Sequence, residues 1–340
     1  MKRTIAALTA VATAAVLAGC STPAPPPPTP DATGESFAAI EGAARAEGSL
    51  VWYVATPNSL NEKLLAAFKA QYPEIEVSLT RLNSGDLTTR FSSEKGAGAA
   101  SADIITLSDD AMLAGNPDWF IPLDATTVPN LDAVPARYIQ DHHATMYASP
   151  MTITINTDLV DEPETWEDLL APEWAGKGSL ASPSAAGSFM ATYSALRGIY
   201  GDEFLEDLGA SGMEFYDSTA TIAPLVAAGG YGFFSPTTAV NSRELRDAGA
   251  PLEVVAVTPI IALTGVVGVN SEAEHPNAAL VLLNFLYSQD AQALFCGDEA
   301  ITVIDSGDSS CKIADESLNV VDYAKASADS AEILELMGLD

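Results

Sequence analysis

Between Ser49 and Leu107 the chain alternates between β-prone runs and helical faces, and this order restricts its fold more than any other feature. Ser49-Leu50-Val51-Trp52-Tyr53-Val54 is a short apolar strand pattern, Ala55-Thr56-Pro57-Asn58-Ser59 a turn, and Leu60, Leu64, Leu65 and Phe68 mark one face of a helix. Ile75–Leu79 alternates as a second strand, residues 85–95 return to helix, and Ala102–Leu107 forms a third strand ending at Ser108-Asp109-Asp110. A βαβαβ order implies a parallel sheet with right-handed crossovers. Ligands of such sheets sit beyond the carboxyl ends of the strands. Thr56, Asn58, Ser108, Asp109 and Asp110 all fall on that edge and are candidate ligand-binding residues. Capping is the plainer role open to them: Asn58 or Ser59 for the first helix, and Asp109 or Asp110 for the helix that follows.

The second half repeats the theme with different spacing. Ala148–Asn156 reads as one long strand, residues 188–200 and 202–209 as helices, Tyr231–Phe234 as an aromatic strand, Leu252–Val257 and Ile260–Asn270 as further strands, and residues 276–295 as a helix with Pro276 near its start. The acidic stretches 161–173 and 202–207 read as solvated helical faces. With 340 residues and 48% hydrophobic content, the chain can bury two cores of ordinary size, and two lobes are expected. The formal charge of −31 excludes sequence-independent binding to nucleic-acid phosphates or anionic lipid head groups, which needs a positive surface.

The N-terminus carries an export signature. Lys2 and Arg3 precede an apolar, Ala-rich stretch over residues 4–18, too short to span a bilayer, and Leu17-Ala18-Gly19-Cys20 closes it. LAGC resembles the lipobox of bacterial lipoproteins. The resemblance implies cleavage before Cys20, lipidation of Cys20 by a diacylglycerol and acyl chains such as palmitate, and a place on the outer face of the cell membrane. Loss of Lys2 and Arg3 takes the formal charge to −33. The prolines of residues 20–36 favour an extended tether over a packed element. Cys296 and Cys311, in an oxidising setting and separated by a turn-rich loop, are expected to form a disulfide, contributing roughly 3 kcal/mol by loop entropy.

Four blocks taken together carry a wider resemblance: VWYVATP with LLAAFKAQYPEIEV, SADIITLSDDAML, ITINTDLV with PETWEDLLAPEWAGKGSLASPSAAGSF, and TGVVGVNSEAEHPNAALVLLNFLYSQDAQALF. Their order and spacing resemble the extracytoplasmic solute-binding proteins of ATP-binding-cassette importers, in the branch holding ferric-iron, thiamine, polyamine and phosphonate binders. The resemblance implies a two-lobed periplasmic-binding-protein fold of type II, with two hinge crossovers placed near residues 148–155 and 258–266. It also implies a small-molecule ligand, a membrane permease with a cytoplasmic ATPase as partner, and no catalytic role. The expected division is a signal peptide over 1–19, a tether over 20–36, first lobe over 37–149, second lobe over 150–262, return to the first lobe over 263–295, and a C-terminal segment with the disulfide over 296–340. No cofactor, no resident metal and a monomer are expected.

The ligand class follows from local chemistry set against that resemblance. Ferric members use a first-loop His, a third-loop acid and adjacent tyrosines after the aromatic strand. Here those positions fall at about Pro57, Asp109 and Pro236-Thr237, and only the acid is retained. Pro183-Ser184-Ala185-Ala186-Gly187-Ser188-Phe189 leads into a helix, where small residues let backbone N–H groups approach an anion and Ser184 and Ser188 can donate hydroxyls. In the family this segment commonly holds a phosphate, carboxylate or phosphonate; a plain N-cap is the simpler reading. With Asp109 and Asp110 opposite, a small organic anion or zwitterion is expected. Ferric iron is the alternative, and a sensory or adhesin lipoprotein on the same fold is a second. Thr152, Ser235 and Thr237 complete the candidate site from the second lobe.

Other residues read as structural. His142-His143 reads as a solvated loop, His275 as a helix start, Trp166 and Trp174 as packing in the second lobe, and Tyr231 as packing near the aromatic strand. No G-x-S-x-G elbow, H-E-x-x-H helix or P-loop appears, which argues against a hydrolase.

Overall fold

The strand–helix repeats fold as their periodicity dictates. In the computed structural model, which describes residues 36–339, Ser49–Val54 (β1) pairs in parallel with Glu76–Arg81 (β2) on one side and Ile104–Leu107 (β3) on the other. The crossover helix Asn58–Gln71 buries Leu60, Leu64 and Phe68, and the crossover helix Ser84–Ala97 buries Leu87 and Phe91. Pro57 takes the cap position of the first crossover and no side chain caps it, so neither Asn58 nor Ser59 acts as the expected cap; Asn58 is already the first helical residue. The export signal, Cys20 and the tether up to residue 35 lie outside the described residues.

The remaining strands, in chain order, are Ala144–Pro150 (β4), Thr152–Asn156 (β5), Gly178–Ala181 (β6), Glu214–Tyr216 (β7), Phe233–Thr237 (β8), Leu252–Val255 (β9), Ile261–Val269 (β10), Ile301–Thr302 (β11) and Asn319–Val320 (β12). They make two sheets. The first has the order β11-β4-β10-β3-β1-β2 with β12 beside β10, and the second β7-β6-β8-β5-β9. β10 is antiparallel to both β3 and β4. The molecule is thus the expected two-lobed α/β fold.

The chain changes sheets at Met151, whose N–H donates to the carbonyl of Ile261 at 2.8 Å, and again between β9 and β10. Residues 148–156 are therefore two strands in two sheets and not one long strand. Both halves enter a core, but the buried apolar positions shift phase across Ser149-Pro150, from Ala144, Met146 and Ala148 to Met151, Ile153 and Ile155. Gly265 lies on β10 at a register shift, and a methyl group there would stand 2.2 Å from Cε1 of Tyr147 on β4. The aromatic ring occupies the room that the missing side chain leaves.

Two other expectations are corrected. The helix expected over 276–295 is two helices, Pro276–Leu286 and Gln289–Gly297, the second started by Ser288, whose hydroxyl accepts from the Ala291 N–H at 3.2 Å. The acidic stretch 161–173 holds only a 3-10 turn, Trp166–Leu170. Pro163 and Pro172 confine it, since a residue before proline avoids the helical region, and the Asp168 carboxylate accepts from the N–H groups of Glu164 and Thr165.

Trp52, Phe68 and Phe285 anchor the first core, and Trp166, Trp174, Phe233 and Phe234 the second. Each fully buried Phe contributes about 1.5–3 kcal/mol. The two tryptophans of the 163–175 region are packing residues, as read from sequence, and Trp166 Nε1 also donates to the Pro259 carbonyl at 3.0 Å. After β12 the chain crosses once more: the helix Tyr323–Leu336 packs on Gly187–Tyr200, burying Ala326 and Ile333 in the second core. Arg197 ties it down, reaching Asp202 at 2.6 Å and Glu332 at 2.8 Å. Cys296 and Cys311 are joined as expected, with Cα atoms 5.6 Å apart.

Candidate functional site

The carboxyl ends of β1 and β3 open towards the second lobe, and three cavities lie along this interface. One of about 290 Å³ is lined by Asp109, Asp110, His143, Arg137, Thr264 and Tyr323. A second of about 200 Å³ takes in Thr56, Ser108, Tyr147, Thr238 and Asp298. A third of about 350 Å³ is bordered by Thr152, Arg246, Glu299 and Lys312.

The adjacent acids are set to different tasks. Burial lifts the Asp109 carboxyl above the usual carboxylate range, the negative charge of Asp110 adding to it, while the N–H of Ala111 at 3.3 Å opposes the rise. Asp110 is held below its usual range by His143, whose Nε2 lies 3.7 Å from its Oδ2. Neither acid meets the capping alternative: Asp110 holds the cap position without a side-chain cap bond, and the Ala111 N–H bond to Asp109 is a local turn contact two residues apart.

His143 corrects the sequence reading. It is 6% exposed, not on a solvated loop, and its Nε2 has no hydrogen-bond partner among the described residues. It immediately precedes β4, which turns its ring inward. The ring of His142 points elsewhere, with Nδ1 3.1 Å from the Phe120 carbonyl.

Sequence reasoning missed Tyr323. Burial, reinforced by the Asp109 charge and then by Tyr147, pushes its phenol well up. A methyl group at Gly187 would stand 3.9 Å from its Cε1. Tyr323 therefore shares a cavity with the acid of the first lobe and lies beside the small-residue helix start of the second. No local pattern marks it, because the helix that carries it returns from the far end of the chain.

At that helix start the simpler capping reading fails. Ala186 holds the cap position of Gly187–Tyr200 without a side-chain cap, and the Ser184 hydroxyl pairs with that of Ser182 at 2.9 Å. Ser184, Ala185 and Gly187 are exposed, and Ala186 and Ser188 half-buried. No side-chain oxygen caps the N–H groups of Gly187 and Ser188, while that of Phe189 donates to the Ala186 carbonyl at 3.0 Å, and none of the five residues lines the three cavities directly.

The other candidates divide. Thr56, Ser108 and Thr152 line cavities, whereas Asn58 is exposed on its helix. Ser235 and Thr237 are wholly buried and spent on structure: Ser235 Oγ reaches the Thr152 carbonyl at 3.5 Å, and Thr237 Oγ1 accepts from Asn241 at 3.1 Å. Tyr231 donates to Glu214 at 2.5 Å. At the opposite, amino edge of the sheet, Ser49 Oγ is 3.0 Å from His275 Nε2 and His275 Nδ1 is 3.0 Å from Asp103 Oδ2. This order looks like a hydrolytic triad, yet Asp103 also accepts from the N–H groups of Val51 and His275, and none of the three cavities includes Ser49 or His275. It ties β1 to the start of the Pro276–Leu286 helix.

Residues 53–293 match the family described as bacterial extracellular solute-binding protein. The chain belongs to this family. The family and its fold are those of binding proteins and not of enzymes. A relative from Haemophilus influenzae, described only as an uncharacterized protein, is 25% identical over 64% of this chain, and the match spans 66% of its own length. Solved structures of the same fold include the substrate-binding protein of an ABC transporter from Agrobacterium tumefaciens, with TM-score 0.69, 16% identity, and coverage of 85% of this chain and 94% of that one. Iron-bound HitA from Pseudomonas aeruginosa aligns with TM-score 0.66 and 16% identity over 85% and 98% of the two chains. AfuA from Actinobacillus pleuropneumoniae with fructose-6-phosphate aligns with TM-score 0.62 and 18% identity over 86% and 99%. At these identities the likeness concerns the fold. No helix among the described residues is long and apolar enough to cross a membrane.

Proposed function

We propose that this solute-binding protein is the receptor of an ABC-type importer, held at the outer face of the cell membrane by a lipid on Cys20, and that it captures a small organic anion or zwitterion by closing its lobes. A permease with a cytoplasmic ATPase receives the solute. The observation that carries the ligand class is that Tyr323 lines one cavity with Asp109 and lies beside Gly187. An ammonium group would pair with the carboxylates, a phosphonate, phosphate or carboxylate would meet the uncapped N–H groups at Gly187 and Ser188, and the phenol would bridge them.

Ferric iron is the second reading, because the cavity adds an imidazole and a phenol to the two acids. Against it, no group of three or more His, Cys, Asp or Glu side chains among the described residues is arranged to hold one ion, and ferric ion needs several hard anionic oxygens. A thermal-shift screen of phosphonates, organic phosphates, polyamines, thiamine and ferric complexes on the mature protein separates these readings. A solute that binds only the folded state raises the unfolding temperature. The expected hits are anionic or zwitterionic; stabilisation by ferric citrate alone, with a visible charge-transfer band, would overturn the organic reading.

A further inference from the structure

Two arginines and two acids face each other across the lobes. The short helix Arg243–Asp247 lies between β8 and β9, with Leu245 packed on the second core. Asp298 and Glu299 belong to the first lobe, between the helix Gln289–Gly297 and β11, which pairs with β4. Arg243 Nη1 is bonded to Asp298 Oδ1, Arg246 Nη2 lies 2.6 Å from Glu299 Oε1, and Arg243 Nη2 lies 3.8 Å from Glu299 Oε2.

The acids stand on fixed backbone. The N–H of Ala300 donates to the Phe295 carbonyl at 3.1 Å and that of Glu299 to the Cys296 carbonyl at 2.8 Å, the bond pair that ends a helix through a left-handed residue. That residue is Glu299, at φ 64°, the one non-glycine with positive φ among the described residues. Glycine takes this conformation without steric cost, so a glutamate here is disfavoured by the backbone and its side chain must offset the cost. The disulfide from Cys296 anchors the same turn. The Asp298 side chain is 7% exposed, and Arg243 Nη2 and Arg246 Nε are buried without hydrogen-bond partners among the described residues. The facing carboxylates are their closest charged partners, with the Ala239 carbonyl 3.4 Å from Arg246 Nη2 and Asp247 on the same helix adding to the compensation.

We propose that Arg243 and Arg246 with Asp298 and Glu299 form an interlobe clamp that positions the lobes and sets their open–closed equilibrium from outside the Asp109 cavity. It rests on the closure reading above but needs no ligand to act. The pairs exist only when the lobes are together; opening returns four charges to water. Salt can screen the more open Arg246–Glu299 pair, the screening length falling to about 3 Å at 1 M, whereas the buried Arg243–Asp298 pair is screened little.

Small-angle scattering of the ligand-free mature protein at low salt and at about 1 M NaCl tests this. The wild-type radius of gyration should grow with salt. Glu299→Gly, which suits the left-handed backbone and so keeps the turn, should be expanded already at low salt and respond little to more. Arg246→Ala should behave alike. Folded Glu299→Gly and Arg246→Ala proteins matching the wild-type radius at both salts would overturn the clamp. A failed ligand screen alongside an intact salt response would refute the ligand reading and leave the clamp standing.

Discussion

Asp103 and Asp109 flank β3, one at each end of a four-residue strand, and their environments could hardly differ more. Asp103 is fully buried and accepts from two backbone N–H groups and the His275 ring. Asp109 is half-buried with one long bond from Ala111, at the mouth of a cavity. A carboxylate whose lone pairs are already filled by its own protein holds the fold, and one left short of partners is available to a solute. Residue type alone does not distinguish them.

The largest expected effect falls on the saturated end. Asp103→Ala leaves two N–H groups and an imidazole without their acceptor, and should cost about 3–5 kcal/mol in chemical denaturation. A loss under about 1 kcal/mol would mean that saturation does not mark structural acids. At the unsaturated end the sign should reverse. The Asp109 carboxyl is raised in the folded state, so its ionised form opposes folding, and folding gains relative stability as pH falls through the raised value. Asp109→Asn should therefore keep or raise the unfolding temperature at neutral pH while weakening a cationic or zwitterionic solute.

Between these lies Gly265→Ala, which drives a methyl group into Tyr147 and should cost about 1–3 kcal/mol without touching the acids. Ser184→Ala with Ser188→Ala should weaken an anionic solute by roughly 10-fold per lost charge-assisted bond, with thermal stability unchanged. Unchanged affinity would remove the two hydroxyls from the site and leave the N–H groups as the only anion donors there. The smallest effect concerns Asp110. Its carboxyl is lowered by His143, so the stability it contributes is present above the ordinary aspartate value of about 3.9 and is lost as pH falls below it. His143→Ala should move the Asp110 titration upward by NMR; any loss of stability at neutral pH would come from truncating the buried imidazole and not from the ion pair, because Asp110 is largely exposed.

Much of the fold is legible in the sequence because it is local. Periods of two and of about 3.6 mark β1 to β3 and their crossover helices, and the carboxyl-edge rule brings Asp109 and Asp110 into view. The sheet change at Met151 leaves only a faint mark, a one-residue phase shift of the apolar alternation at Ser149-Pro150, although the family resemblance places a crossover near it. The site is half legible for a similar reason. Asp109 and Gly187 are found from the elements they terminate, whereas Tyr323 and His143 depend on contacts far along the chain, Tyr323 through the final crossover and His143 through burial against Asp110. Ser235 and Thr237 show the converse: polar residues at a strand end whose bonds the second lobe consumes.

The most direct test is a crystal structure of the mature protein with whichever solute stabilises it most. The account predicts a closed cleft with the solute's anionic group within hydrogen-bonding distance of the Gly187 and Ser188 N–H groups, its cationic or polar end facing Asp109, and Tyr323 in contact with both. A solute seated against Thr152 and Lys312, or one that touches neither Asp109 nor Gly187, would contradict it.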